Sequence, residues 1–270
     1  MPPSEGADAA DRYATLGGLR LRYRDEGQGP ALMLVHGVGS RLESWDGVIA
    51  ALGGRYRTVR LDLRGHGLSD KPAGPYSLED FVGDVTGLLD HLEIARCHLA
   101  GFSLGGLIAQ GFALAHPDRL DHLVLLSTVA GRTDEERARV ADRLVVVDKG
   151  LPGDHFRNSL SRWFTDAYLA ANPDVIARAE AGNKANDPKA YAAAYRVLAT
   201  SDLADRLHEV TAPTLVATGE FDVGSNTRMA RLMHECIAGS HLHIFPGMKH
   251  SILAEIPGDV AARMHTFFTA

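Results

Sequence analysis

Short apolar runs recur along the chain, and most are separated by segments in which apolar positions repeat with helical spacing. Six of these runs predict strands buried on both faces of a sheet: Ala31–Val35, Thr58–Leu61, Cys97–Ala100, Leu123–Leu126, Pro213–Ala217 and Leu242–Phe245. The clearest helix follows Ser77, a favourable N-cap, and places apolar residues between Leu78 and Leu92 along one face. This alternation predicts an α/β fold with a mostly parallel sheet flanked by helices.

The start of the chain has a different pattern. Gly17-Gly18 lies between the runs Tyr13–Leu16 and Leu19–Arg24, a combination typical of a β-hairpin. We expect this hairpin to add an antiparallel edge to the sheet. Residues 1–11 have neither the basic start nor the apolar core of a secretion signal, and we interpret them as a frayed tail.

A second departure begins after the fourth apolar run, where the strand pattern stops and the sequence becomes helical. We predict a helical lid at residues 131–200, inserted into a core made of residues 1–130 and 201–270. Asp187-Pro188 fits the N-cap and first position of the last lid helix. On that helix Tyr191, Tyr195 and Leu198 share one face, which favours packing within the lid over a role as the roof of a substrate pocket.

The charge and cysteine content of the chain limit the kinds of molecule that it is expected to bind. The 270 residues carry a formal net charge of −6 without a long block of like charges, which argues against binding to nucleic acid or to a membrane surface. Small molecules are the expected partners, and a homo-oligomer is compatible with the sequence. The only cysteines, Cys97 and Cys236, are far apart, and Cys97 lies in a predicted buried strand. We therefore expect no disulfide and a cytoplasmic location.

Candidate chemistry is concentrated at Gly101-Phe-Ser-Leu-Gly105, where an apolar strand meets a helix. A serine between two glycines in this context is typical of a nucleophile elbow, the strained turn that lifts a serine hydroxyl out of a sheet. The stretch from Cys97 to Pro117 has no charged residue, but its glycines and glutamine favour a buried strand and helix over a membrane span. Ser103 is the predicted nucleophile.

A serine hydroxyl attacks a carbonyl usefully only when a neighbouring base takes its proton. Of 13 histidines, His250 follows the last predicted strand, at the sheet edge where open α/β folds place their sites. Asp222, just beyond the strand Pro213–Ala217, is the predicted carboxylate partner, and Glu220 is the rival. The chain order Ser103, Asp222, His250 is that of hydrolase-fold enzymes.

Two backbone N–H groups are candidates for stabilising the negative charge on a substrate oxygen. One belongs to Leu104, directly after the serine, and the other to Val38 in His36-Gly-Val-Gly39, which follows an earlier strand. The glycines of this loop do not fit a nucleotide-binding motif, because no Gly-Lys-Ser/Thr follows and the spacing is wrong for a dinucleotide fingerprint. Cysteine pairs and metal-binding helix motifs are also missing from the sequence, which argues against a metal.

These motifs, with Asp62-Leu-Arg-Gly-His-Gly-Leu-Ser-Asp70, together resemble the α/β-hydrolase superfamily over nearly the whole chain. Arg64–Pro72, the Ser-Leu-Gly-Gly elbow and Arg162-Trp163-Phe164 look like the 3-oxoadipate enol-lactonase branch. The resemblance implies an α/β-hydrolase fold and the opening of a lactone in aromatic-compound catabolism, without metal or cofactor. By analogy it also places Trp163 at the substrate. Ser103 argues against dehalogenases and epoxide hydrolases, which carry an aspartate at the elbow.

The same residues leave alternatives open. Hydrolysis of a carbon–carbon bond in a ring-cleavage product would use the same serine, histidine and aspartate. A ligand receptor with a hydrolase fold would keep the triad for binding alone. Our leading hypothesis is acyl transfer to water from a small ester or lactone.

Overall fold

An eight-stranded sheet organises the chain, in the spatial order β1-β2-β4-β3-β5-β6-β7-β8. The computed structural model describes residues 10–150 and 152–270. The strands are β1 Arg12–Leu16, β2 Leu19–Glu26, β3 Ala31–Val35, β4 Arg57–Leu61, β5 Cys97–Phe102, β6 Leu120–Leu126, β7 Thr214–Gly219 and β8 His241–Phe245. The pairings β1 with β2 and β2 with β4 are antiparallel and the others are parallel, which confirms the predicted fold class and edge hairpin.

Helices cover both faces of the sheet. The helices of the described residues are α1 Asp46–Leu52, α2 Leu78–His91, α3 Leu104–Ala115, α4 Asp134–Lys149, α5 Pro152–Trp163, α6 Asp166–Ala171, α7 Pro173–Lys184, α8 Pro188–Thr200, α9 Thr227–Cys236, α10 Ile252–Glu255 and α11 Pro257–Phe268. Short 3₁₀ turns occupy Leu42–Trp45, Pro117–Arg119 and Ala204–Glu209. In the part of the chain that is described, no helix combines the length and apolar character needed to cross a membrane.

The core has two layers, because neighbouring residues of a strand point to opposite faces. On β3, Met33 and Val35 join the layer that packs against α2 and α3, whereas Leu32 and Leu34 join the layer under α1 and α11. Helix α2 begins as predicted at Ser77, whose side chain forms a capping box with Asp80. The capping signal in the sequence and the packing of α2 in the core therefore agree on where this helix begins.

The segment between β6 and β7 contains α4 to α8 and no strand among its described residues. It has a small core of its own, formed by Val140, Leu144 and Val147 of α4 together with Tyr191 and Tyr195 of α8. We call residues 131–200 the helical segment. It covers the carboxyl ends of the parallel strands, where the candidate site lies.

Two expectations need correction or limits. The strand β8 is not buried on both faces, because it is the outer strand of the sheet and most of its residues are partly exposed. Asp11, expected to fray, accepts hydrogen bonds from Arg22 and Arg24. Residues 1–9 of the predicted tail lie outside the described residues. Both Cys97 and Cys236 are free thiols.

Candidate active site

Ser103 lies in the turn between β5 and α3, as the elbow motif predicts. Its backbone has φ 55° and ψ −113°, a conformation that L residues with a side chain rarely adopt. The turn is held by a hydrogen bond from Ser103 N–H to Leu126 O of 3.0 Å and by one from Thr128 Oγ1 to Ser103 O of 2.7 Å. The surrounding strands thus hold the serine in a strained position, which is common at functional sites.

The glycines that flank the serine are required by close backbone contacts. A Cβ on Gly101 would lie 2.1 Å from the carbonyl oxygen of Gly105. A Cβ on Gly105 would lie 2.1 Å from the carbonyl oxygen of Val35. Since real Cβ atoms do not approach oxygen so closely, a side chain at either position would push the helix away from the sheet.

His250 and Asp222 meet in the loops that follow β8 and β7. The Nδ1 of His250 is 2.6 Å from Oδ2 of Asp222, whose side chain is buried. Because the carboxylate of Asp222 accepts a hydrogen bond from Nδ1–H, the Nε2 atom of the imidazole carries no proton and is free to act as a base. His250 borders the same two cavities as Ser103, so the structure brings these two predicted residues to one site.

The carboxylate of Asp222 is itself oriented by the turn that follows β7. Its Oδ1 accepts hydrogen bonds from the backbone N–H groups of Gly224 and Ser225, each of 2.9 Å. Glu220, the rival carboxylate, instead accepts a hydrogen bond from Gly247 N–H and is exposed. The geometry pairs Asp222 with the histidine and gives Glu220 a role in the turn.

The loop that carries His250 is tied to the helical segment. Ser251 N–H donates to the carbonyl oxygen of Trp163 at the end of α5, over 2.8 Å. Lys249 Nζ donates to the carbonyl oxygen of Ser161 on the same helix. The position of the histidine therefore depends on the end of α5 as well as on the sheet.

The loop after β3 lies beside the serine, where the predicted charge-stabilising amides would be needed. His36 is fully buried, its Nε2 accepts from Leu63 N–H, and its Nδ1 is 2.7 Å from the carbonyl oxygen of Gly37. Burial lowers the pKa of His36 to about 4, which keeps the ring neutral and able to hold the loop. Val38 borders both cavities, and Leu104 begins α3, so its N–H has no partner within the helix.

Two cavities meet at Ser103 and His250. The first, which we call the apolar compartment, encloses about 230 Å³. Its lining includes the side chains of Phe102, Phe156, Trp163, Phe164 and Leu253. Trp163 borders both cavities, and its ring lies 6.3 Å from that of His250. Trp163, which the family resemblance predicts to contact the substrate, therefore lies at the site, on the wall between the two compartments.

The second cavity, the cationic compartment, is smaller, at about 70 Å³. It is bordered by three arginines, Arg132, Arg143 and Arg162, and by no acidic side chain of the described residues. Arg132 is largely occupied, because it donates to carbonyl oxygens at the end of α8, including that of Leu198 at 2.8 Å. No carboxylate of the described residues offsets the burial of Arg162, and both burial and the charge of Arg143 lower its pKa.

Several residues of this compartment were not identified from the sequence as site residues. They are Arg132, Arg143 and His155, and the sequence connects Arg162 only with a family motif. Tyr195 and Leu198 also border the cavity, so the sequence pattern, which favours packing over a pocket-roof role for this face of α8, understates its contact with the cavity. One weak signal was available: Arg143 has no acidic residue three or four positions away on its helix to form an ordinary surface ion pair.

With this geometry in place, the comparisons with known proteins identify the chain's family. A family model described as alpha/beta hydrolase fold matches residues 30–256. The chain belongs to the α/β-hydrolase family.

Relatives of this α/β-hydrolase with known structure or activity include enol-lactonases. The chain is 30% identical to 3-oxoadipate enol-lactonase 2 of Acinetobacter baylyi, over 88% of this chain and 85% of that one. It is also 30% identical to the (E)-2-((N-methylformamido)methylene)succinate hydrolase of the same organism, over 91% and 92% of the two chains. The crystal structure of the enol-lactonase from Burkholderia xenovorans LB400 superposes with a TM-score of 0.90 at 30% identity, covering 96% of this chain and 100% of that chain.

Proposed function

We propose that this α/β-hydrolase cleaves a small carboxylic ester or lactone through an acyl-enzyme formed on Ser103. The observation that carries the proposal is the 2.6 Å contact between His250 Nδ1 and Asp222 Oδ2, in loops that border the same cavities as the strained serine. A base with a fixed tautomer beside an elbow serine is the arrangement that acyl transfer requires.

The reaction begins when the Oγ of Ser103 attacks the carbonyl carbon and the Nε2 of His250 accepts the hydroxyl proton. The N–H groups of Val38 and Leu104 donate to the oxygen that becomes negative in the tetrahedral intermediate. His250 then gives its proton to the departing oxygen, while Asp222 stabilises the imidazolium. A water molecule, activated by the same histidine, releases the acid and regenerates Ser103. Each proton transfer in this scheme is carried by a residue of this chain.

The relatives support a substrate that is a derivative of a small carboxylic acid. Their names specify the enol-lactone of 3-oxoadipate and a substituted succinate. The arginines of the cationic compartment agree with such a substrate, since the carboxylate that remains on it would neutralise them. We propose an enol-lactone of this type as one substrate class, with residues 131–200 acting as the lid above it.

The decisive experiment labels the protein with a fluorophosphonate and measures its intact mass. We expect a single adduct on wild type and on Ser161→Ala, an exposed serine of α5, but none on Ser103→Ala. The variant Ser103→Ala should keep its circular dichroism spectrum and lose at least about 10³-fold in turnover of p-nitrophenyl esters and lactones, because no other residue supplies the nucleophile. Retention of most activity in this folded variant would contradict the mechanism.

The same turnover measurements distinguish a preference for lactones from a preference for linear esters. Turnover of small lactones in preference to linear p-nitrophenyl esters would support the enol-lactone class. A folded wild-type protein that forms no adduct and turns over neither group would overturn the proposal that Ser103 is an activated nucleophile.

A further inference from the structure

His155 on α5 has a hydrogen-bonding atom with no partner in the described part of the protein. The side chain is buried, with 6% of its surface exposed, and it borders the cationic compartment together with Ser103. Its Nδ1 is 2.7 Å from the hydroxyl oxygen of Tyr191, whereas its Nε2 is buried and makes no hydrogen bond. A buried polar atom without a partner is unfavourable unless a ligand or water satisfies it.

Tyr191 decides which nitrogen of His155 carries the proton. The tyrosine is buried, burial raises its pKa, and so it stays protonated at neutral pH. In the described residues the only hydrogen-bond partner of the Tyr191 hydroxyl is His155 Nδ1. Since the hydroxyl hydrogen needs an acceptor, Tyr191 donates to Nδ1 and the imidazole proton sits on Nε2. His155 therefore carries its N–H donor on Nε2, the nitrogen that has no partner among the described residues.

The neighbouring groups are also donors. The guanidinium of Arg162 lies on the same helix and donates one hydrogen bond to Ser159 Oγ, and Arg143 on α4 donates one to the carbonyl oxygen of Arg139. Each retains further N–H groups, because a guanidinium has five. Neither arginine forms an ion pair with a carboxylate of the described residues, although they border one small cavity. This end of the cavity thus combines positive charge and hydrogen-bond donors, and no carboxylate of the described residues borders it.

We propose that His155, Arg143 and Arg162 form a binding site for a carboxylate of the substrate, in which His155 is a specificity residue held in one tautomer by Tyr191. The inference rests on the proposed hydrolase function and adds to it the residues that recognise the acid end of the substrate. A carboxylate offers lone pairs for all three donors. It also supplies the negative charge that no carboxylate of the described residues provides to the two arginines. A primary amide in its place would direct N–H groups at other donors and bind poorly.

Calorimetry on the whole protein tests this site without relying on turnover. The probes are succinate, glutarate and adipate, each paired with its diamide. We expect at least one dicarboxylate to bind wild type at least about tenfold more tightly than its diamide. Absence of this preference in all three pairs would overturn the inference, whether or not Ser103 is labelled.

Variants of the His155–Tyr191 pair separate a donor to the ligand from a packing residue. The amide of His155→Gln can replace Nε2–H, whereas that of His155→Asn can replace only the contact with Tyr191. We expect His155→Asn to weaken dicarboxylate binding about tenfold and His155→Gln to stay within about threefold of wild type. Tyr191→Phe, which frees the tautomer, should weaken binding by an intermediate factor. The control is Asn158→Ala, an exposed residue on the same helix.

Fluorophosphonate labelling of each variant shows whether the fold and the proposed catalytic machinery are intact. This readout does not depend on dicarboxylate binding. A variant that labels like wild type but loses dicarboxylate affinity supports the site. Equal affinities in folded His155→Gln and His155→Asn proteins would show that Nε2–H does not contact the ligand and would overturn the assignment. Failure of wild type to label, with dicarboxylate binding intact, would instead count against the proposed hydrolase mechanism alone.

Discussion

At the residue scale, the pairing of His250 with Asp222 rather than Glu220 makes a sharp prediction. Asp222→Asn keeps the shape of the side chain but removes the charge and the acceptor that fixes the imidazole tautomer. We expect kcat for ester hydrolysis to fall about 10⁴-fold at neutral pH, with the protein still folded. The measurement is steady-state hydrolysis of a p-nitrophenyl ester, after subtraction of the uncatalysed rate.

The matched control is Glu220→Gln, which removes the same charge two residues away. Glu220 is exposed, and among the described residues it accepts a hydrogen bond only from Gly247 N–H, so we expect kcat to change less than about threefold. If the two variants lose activity equally, the contact between His250 and Asp222 does not determine the base.

The sequence predicted some site residues and missed others for a physical reason. Ser103, Asp222 and His250 each follow a predicted strand, so local patterns and chain order were enough to propose them. His155 and Arg143 lie on amphipathic helices, where a polar side chain ordinarily faces solvent. Only the packing of α4, α5 and α8 against one another turns these two residues toward a shared cavity. Single-sequence periodicity carries no information on that packing.

At the scale of elements, a buried arginine joins β2 to the loops after β3 and β4. Arg22 contacts Asp62, Glu43 and Asp11, and the side chain of Asp62 is completely buried. Asp62 also accepts hydrogen bonds from the backbone N–H groups of Leu42 and Leu68. The loop after β4, interpreted from the sequence as tight and structural, is therefore organised around this carboxylate.

Removing Arg22 should destabilise the protein strongly. We expect Arg22→Ala to lower the free energy of unfolding by about 3 kcal/mol, because it leaves Asp62 buried without its cationic partner. Urea denaturation followed by circular dichroism measures the effect. The control is Arg196→Ala, which breaks an exposed pair with Asp148 and should change the free energy by no more than about 1 kcal/mol. A loss at Arg22 as small as that at Arg196 would contradict the structural role of the buried pair.

The elements themselves were largely predictable, but their places in the sheet were not. Helix α2 carries its own signals, namely an N-cap at Ser77 and apolar residues on one face. The strand β8 looked from its sequence like a strand buried on both faces. Its partial exposure follows from the strand order, which puts it at the edge of the sheet beside β7. Strand order arises from contacts between residues far apart in sequence, and the pattern within one run does not encode it.

At the scale of the whole molecule, overall charge and local charge have opposite signs. The chain carries a formal net charge of −6, yet the cationic compartment is bordered by three arginines and no acidic side chain of the described residues. Composition correctly directed attention to small molecules and could not reveal the sign of the field inside the site. An anion within a few ångströms experiences the nearby arginines more strongly than the distant surface charge.

Ionic strength should therefore affect charged and neutral ligands differently. Between about 0.02 M and 0.5 M salt, we expect the Kd of adipate to rise about three- to tenfold, because salt screens the attraction to the arginines. The Kd of adipamide should change less than about twofold. Calorimetric titrations at several sodium chloride concentrations measure both. Equal salt dependence for acid and diamide would show that the arginines do not act on the bound ligand.

The hydrogen bond between Ser251 N–H and the carbonyl oxygen of Trp163 also limits how the protein can be rebuilt. A chimaera that replaces all of residues 131–200 with the segment of another family member would exchange the backbone that holds the loop of His250. Exchanging residues 164–200 alone, with the junction placed after α5, would leave that hydrogen bond and the side chains of Arg143 and Arg162 in place. Grafts of this second kind should change which apolar group is accepted and retain the proton transfer, so the end of α5 is the natural boundary for recombination.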